Sequence, residues 1–341
     1  MAVPLFRPTI KRAEMHSVLD CLVADSIGPG KLGNELSAAV SSYIGAEGGV
    51  AVNSYFSAIK LALESLEIKN GDKIIVSPLV PSVYLEVIKA LGIRPLYVDV
   101  APNSASVSSE MLETVMSNSP KLIILHHTLG SMADIESTAN YGIPVIEDIS
   151  QGLGGRIGEK LAGSFGDIAI LSLEENNALS CGCGALVLTG NRKLLRELKR
   201  RVNEHREYSK LPDLNASLAL SQFKYIREDV EVREKITEIY KEAVGKTRHK
   251  QFIEEVNHKI IRYAFPVIIS DSVPEAEKYI KKHNIETASA FKNSIINDFD
   301  GFKNSFPNAA NLSLRTLLFP LYPLLAKGNV EKIARVIATL P

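Results

Sequence analysis

Between about residue 50 and residue 190 the chain alternates short apolar runs of strand length with longer stretches of helical period, and this alternation constrains the fold more than any other feature. Ser54 to Leu66 sets Ala58, Ile59, Ala62, Leu63 and Leu66 on one helical stripe, with Asn53 or Ser54 available as the cap. The segments Ile74 to Val76, Leu96 to Val98, Leu122 to Leu125, Val145 to Ile146 and Ile168 to Leu171 are almost continuously apolar. Strands covered by helices on both faces read this way. Gly92 is placed to close a helix that starts near Ser82, and Asp72, Asp99 and Asp148 fall at strand edges or ends, where turns and sites are built. The expected fold is α/β: a mixed, mostly parallel sheet with helices on both faces over about residues 45–200.

After Gly190 the texture changes to long charged helical stretches, Asn191 to Glu204 and about Leu214 to Ala243, which read as a bridge between two domains. The remainder predicts a smaller α+β unit, with a strand around Tyr263 to Ile269, a helix from Pro274 to His283 and a last helix from about Val330 to Thr339. At 341 residues the chain exceeds the roughly 250–300 at which a single core stops growing. We therefore expect a large domain with its N-terminal segment over 1–245 and a small C-terminal domain over 246–341. Ile295 to Pro307 is the candidate for a long loop.

Charge and composition exclude several classes. Lys+Arg and Asp+Glu both total 39, so the long-range attraction behind non-specific nucleic-acid binding is missing. No apolar stretch approaches the roughly 18–20 residues of a membrane-spanning helix. Three cysteines cannot form a disulfide framework, and the first residues lack the apolar run of a secretion signal, so a cytoplasmic protein is expected.

Four motifs are weaker than they look. Gly28-Pro29-Gly30-Lys31-Leu32-Gly33 has dinucleotide-fingerprint spacing, but the residues before it have helical period where a strand is needed. Gly245-Lys246-Thr247 lacks the upstream glycine of a phosphate loop, because Tyr240 stands there. Cys181-Gly182-Cys183 has the wrong spacing for zinc, and no metal site is expected. His126 and His127 end an apolar run and should point to opposite faces, with packing the main role.

Read in order, several other segments resemble the DegT/DnrJ/EryC1/StrS sugar aminotransferases, and the resemblance spans almost the entire chain. Gly28 to Gly33 resembles an early glycine-containing segment of that family, and Gly71-Asp72-Lys73-Ile74-Ile75-Val76 its "GDEVI" strand entry. Ile93-Arg94-Pro95-Leu96-Tyr97-Val98-Asp99 resembles "A-x-P-V-F-V-D". Val145-Ile146-Glu147-Asp148-Ile149-Ser150-Gln151 is similar to "VIEDAAQ", and Gly163-Ser164-Phe165-Gly166-Asp167 to "GSLGD". Leu317 to Pro323 resembles the C-terminal "LSLPLYP". The resemblance implies the aspartate aminotransferase-like fold of type I pyridoxal-phosphate (PLP) transferases, and a homodimer.

It also implies a cofactor site. Asp148 matches the carboxylate that keeps the pyridine nitrogen protonated, Gln151 the glutamine near the phenolic oxygen, and Ser172 the serine that helps hold the phosphate. Other positions depart from the pattern. The cofactor-bearing lysine should stand five residues after Ser172, where this chain has Asn177, and no Lys or His occurs from 174 to 183. An amide has neither a nucleophilic amine nor a usable pKa. The "S-G-T" phosphate loop reads Ser54-Tyr55-Phe56, two rings where glycine admits close approach. Pro81 takes the place of the stacking aromatic, and Tyr208-Ser209-Lys210 that of a partner-subunit "N-x-R" segment.

Three readings remain open. One is a catalytically degenerate relative tied to sugar-nucleotide or surface-polysaccharide metabolism, with Tyr55 and Phe56 in an altered pocket and no covalent PLP. Another is an enzyme that holds PLP or its amino form (PMP) without a covalent bond, or that uses Asp148, Glu174 and Glu175 for other chemistry on a nucleotide sugar. The third is a binding or regulatory subunit of an active paralogue.

Overall fold

A computed structural model describes residues 2–133, 135–204, 206–254, 257–299 and 301–341. Two helices precede the first strand, α1 (Arg12–Val23) and α2 (Leu32–Ile44). The segment resembling a dinucleotide fingerprint lies between and within them, and Asp213 fills its cup. One carboxylate oxygen of Asp213 accepts from the amides of Gly30 (3.1 Å) and Leu32 (3.0 Å). A Cβ on Gly30 would come within 2.3 Å of the other oxygen, so only glycine fits.

From β1 (Gly48–Val52) the expected alternation unfolds. It runs through α3 (Tyr55–Ser65), β2 (Lys73–Val76), α4 (Val83–Leu91), β3 (Arg94–Tyr97), α5 (Ser109–Met116), β4 (Leu122–His126), α6 (Ile135–Thr138) and β5 (Val145–Asp148). The Ser54 hydroxyl caps α3 by accepting from the Ser57 amide at 3.1 Å, and Gly92 ends α4 in the left-handed conformation at φ 65°. A short hairpin, β6 (Arg156–Ile157) and β7 (Lys160–Leu161), precedes β8 (Ile168–Ser172) and β9 (Ala185–Thr189).

Among the described residues seven strands make the central sheet, in the order β1-β9-β8-β5-β4-β2-β3. The five from β3 to β8 are parallel, while β9 and β1 run antiparallel to their neighbours. Period-two alternation splits the interior into two cores. Ile74, Leu122, Ile124, Ile146 and Ile170 share one core with α3 and α4, whereas Ile75, Ile123, Leu125, Ala169 and Leu171 belong to the other, with residues of α2 and α5. β3 begins two residues before its apolar run. It is an edge strand whose Arg94 amide donates to Asp72, so the Pro95 nitrogen points away from the ladder and its missing proton costs nothing.

Beyond the sheet come α7 (Arg192–Glu204), α8 (Asp213–Phe223) and α9 (Ile226–Val244). The single helix expected over about 214–243 is thus two. No Gly or Pro marks the break at Lys224 and Tyr225; α8 lies against α1 and α2, while α9 runs to the C-terminal sheet. After β10 (His258–Lys259), which pairs with β6, the chain forms β11 (Ala264–Ile268), α10 (Val273–Lys282), β12 (Ala288–Ser289), α11 (Phe302–Ser305), α12 (Pro307–Arg315), β13 (Thr316–Pro320) and α13 (Lys327–Ala338). β11, β13 and β12 pair antiparallel in that order. Residue 300 of the supposed long loop lies outside the described residues; the described part is structured, with Ile295 and Ile296 fully buried and Phe302 meeting Tyr97 edge-on with centroids 4.8 Å apart.

Ile236, Tyr240 and Val244 of α9 share a core with Phe265, Phe319 and Ile333, and Val3 bridges to Ile285. The small sheet therefore draws on residues from well before 246. No helix among the described residues is long and apolar enough to cross a membrane.

Candidate functional site

β4, β5 and β8 end side by side, and their last residues are His126, Asp148 and Ser172. This carboxyl edge of parallel strands is where open α/β sheets place their ligands. Asp148 pairs in register with His126 on one side and Ile170 on the other, and none of its surface reaches solvent.

Three groups of the chain donate to the Asp148 carboxylate. Oδ1 accepts from the Ser150 amide at 2.9 Å. Oδ2 accepts from two phenols, that of Tyr84 at 2.5 Å and that of Tyr55 at the first position of α3. The two rings meet edge to face with centroids 5.9 Å apart, and both are buried. Burial, and then the Asp148 carboxylate, lift both phenols well above their ordinary range, so each stays protonated and donates.

The two histidines divide between the faces as the alternation predicts. His127 is fully buried with Nε2 2.9 Å from Glu147, which also accepts from the amides of Gly163 (2.6 Å), Phe165 (3.0 Å) and Gly166 (3.1 Å). It is a structural brace. His126 shares its face with Asp148, meets Thr128 Oγ1 through Nδ1 at 2.7 Å, and leaves Nε2 buried without a partner. Burial lowers its pKa and outweighs the pull of Asp148, which keeps the ring neutral.

Ser172 and Asn177 do come together. The Asn177 side-chain amide donates to the Ser172 carbonyl at 3.1 Å, and the Ser172 amide donates to Ser150 Oγ at 2.8 Å. The cavity that Asn177 lines with Phe6, Arg7, Arg233 and Tyr322 has a volume of about 10 Å³. Room for one water is about what that allows, against roughly 300–1,000 Å³ for ligand pockets.

Gln151 braces the backbone: its side-chain carbonyl accepts from the Leu129 amide at 2.7 Å and holds that residue at φ 53°. Phe56 is half-buried against the core on the α3 face. Pro81 bridges to Ser294 across the chain. Glu174 and Glu175 are exposed. Tyr208 and Ser209 accept through their carbonyls from Asn53 beside the start of α3, and the Tyr208 ring is 87% exposed.

Tyr84 is the residue sequence reasoning missed. Its position on the buried stripe of α4 was a usable signal, because a buried phenol requires an acceptor. No group of three His, Cys, Asp or Glu suited to a metal occurs among the described residues.

A family model for the DegT/DnrJ/EryC1/StrS aminotransferase family matches residues 8–338. Spore coat polysaccharide biosynthesis protein SpsC of Bacillus subtilis (strain 168) is 25% identical over 98% of this chain and 96% of its own length. GDP-perosamine synthase of Vibrio cholerae is 22% identical over 98% of both chains. The aminotransferase TlmJ from Streptoalloteichus hindustanus superposes with a TM-score of 0.89 at 20% identity, covering 99% of this chain and 98% of that one. The shared architecture is the type I PLP-transferase fold.

Proposed function

Because the chain belongs to the DegT/DnrJ/EryC1/StrS aminotransferase family, we propose that it is a catalytically degenerate member, a cytoplasmic homodimer serving sugar-nucleotide or surface-polysaccharide metabolism without PLP-dependent transamination. The names of its relatives SpsC and GDP-perosamine synthase support the metabolic setting.

One observation carries the loss of transamination: Asp148 Oδ2 accepts from both Tyr55 and Tyr84. A pyridine nitrogen needs that carboxylate, so PLP would have to displace two buried phenols from a hydrogen-bonded anion acceptor. The surroundings reinforce the misfit. Tyr55 occupies the position where glycine would admit a phosphate, the Ser54 hydroxyl is spent on capping Ser57, and Asn177 offers no amine. These residues do not fit PLP.

The test is an absorbance spectrum of protein purified with excess PLP, before and after borohydride, followed by peptide mapping. We expect a colourless protein and no PLP–lysine adduct. An adduct at any lysine of this region of the fold would overturn the reading. Reversible PLP or PMP binding without an adduct would favour the enzyme with altered chemistry instead.

The exposed Tyr208 segment beside α3 favours a second reading, a regulatory subunit that docks on an active paralogue. A pull-down from the native source separates it from the homodimer.

A further inference from the structure

Two of the three cysteines, Cys181 and Cys183, stand either side of Gly182 in the loop that joins β8 to β9 and carries Asn177. The loop is pinned from both ends. The Cys181 amide donates to the Leu173 carbonyl at 3.0 Å, the Leu173 amide donates to the Gly184 carbonyl at 2.9 Å, and Glu174 bridges to Gly182. The chain bends at both cysteines, and Gly182 between them takes φ 87°, which glycine adopts without strain.

Polar contacts then draw the two thiols together. The Cys181 S–H donates to the Cys183 carbonyl at 3.0 Å, so the first sulfur lies against the second residue. Asn215, near the start of α8, donates through one nitrogen to the Cys181 carbonyl at 2.9 Å and to Cys183 Sγ at 3.5 Å, so the second sulfur lies beside the first residue. The two differ in access, Cys181 being buried and Cys183 exposed. Cys21 of α1 is turned instead to the Asp213 carbonyl at 3.8 Å.

From this geometry we propose that Cys181 and Cys183 form a redox-modification site, a dithiol that closes to a reversible disulfide by exchange with a low-molecular-weight disulfide. The exposed Cys183 thiolate attacks one sulfur of the reagent, whose S–S bond breaks; half of it leaves as a thiolate and takes up a proton, and a mixed disulfide remains on Cys183. Cys181 then releases its proton and attacks the Cys183 sulfur, and the second half leaves as a thiol. The chain gives up two electrons and two protons, and the reagent becomes two thiols. Burial, and then Cys183 beside it, push the Cys181 thiol up to about 12. It is therefore the second nucleophile, and closure within one loop offsets its scarce thiolate. Neither Asp148 nor PLP takes part, so the inference goes beyond the proposed function, and its failure would leave that proposal untouched.

Incubation of the reduced full chain with oxidised glutathione at about pH 8, followed by acid quenching, intact mass and peptide mapping, tests it. We expect a mass lower by about 2 Da, a link between Cys181 and Cys183 within one peptide, and full recovery of both thiols with dithiothreitol. Cys181→Ser should stop at the mixed disulfide, one glutathione heavier, and Cys183→Ser should react about tenfold more slowly or worse. If Cys181→Ser does not fold, the masses of the wild type decide alone. A wild type that keeps its thiols, stops at the mixed disulfide, or links either cysteine to Cys21 or to a second chain would overturn the assignment.

Discussion

Removing one phenol from Asp148 and removing both should not be equivalent. Tyr55→Phe or Tyr84→Phe leaves the carboxylate one phenol beside the Ser150 amide, and each should destabilise by about 1–2 kcal/mol in urea unfolding. The double variant should cost more than the sum, because the second loss strips the last phenol from a carboxylate with no access to water. The pH dependence has a definite sign. Both phenols are raised well above 10.0 in the folded state, so their contribution is intact below about pH 10 and is lost as pH rises through the folded values. The double variant should lose less stability than the wild type between neutral and strongly alkaline pH. At the same scale, Asn177→Lys alone should not recover PLP binding. Adding Tyr55→Gly, Phe56→Thr and Tyr84→Phe should recover it by clearing the carboxylate and the phosphate position together, which titration with PLP will measure. Asn177 and Tyr55 were legible in the sequence because matched segments fixed their places. Tyr84 was not, since nothing in the line of residues says which acceptor a phenol on a helix stripe will reach.

The turn before α2 depends on a residue nearly two hundred positions away. Asp213→Ala should free the amides of Gly30 and Leu32 and destabilise the protein by about 1–3 kcal/mol, and Gly30→Ala should do comparable damage by pushing the carboxylate aside. Thermal unfolding of the two variants and of Asp213→Asn, which keeps an acceptor oxygen, will check this. Local signals predicted α3 and α4 well, because Ser54 and Gly92 are chemical start and stop marks. The break between α8 and α9 carries no such mark. It is imposed by the separate surfaces on which the two helices rest, as the turn at Ile295–Asn297 is imposed by burial of Ile295 and Ile296.

At the scale of the molecule, the proposed division at 245/246 separates two sheets but not two independent cores. The isolated segment 246–341 should fail to fold, because it lacks Ile236, Tyr240 and Val244 of α9 and Val3 from the N terminus. Circular dichroism and limited proteolysis of that segment will decide, and a cooperative thermal transition would count against the expectation. Sedimentation at micromolar concentration should show a dimer. The apolar side chains of Met15, Leu19 and Leu22, exposed at helical spacing on α1, form the kind of patch that association covers. By itself the sequence determined the α/β class, the places of five of the seven central strands and of β11, and the departures at 55, 56 and 177, because periodicity and motif order are properties of the line of residues. Only the tertiary structure decided what became of Asp148 and how Asp213 came to hold the turn before α2. Those outcomes rest on side chains from different elements meeting at distances of a few ångströms, which depend on how helices and strands pack and are not encoded in any local pattern.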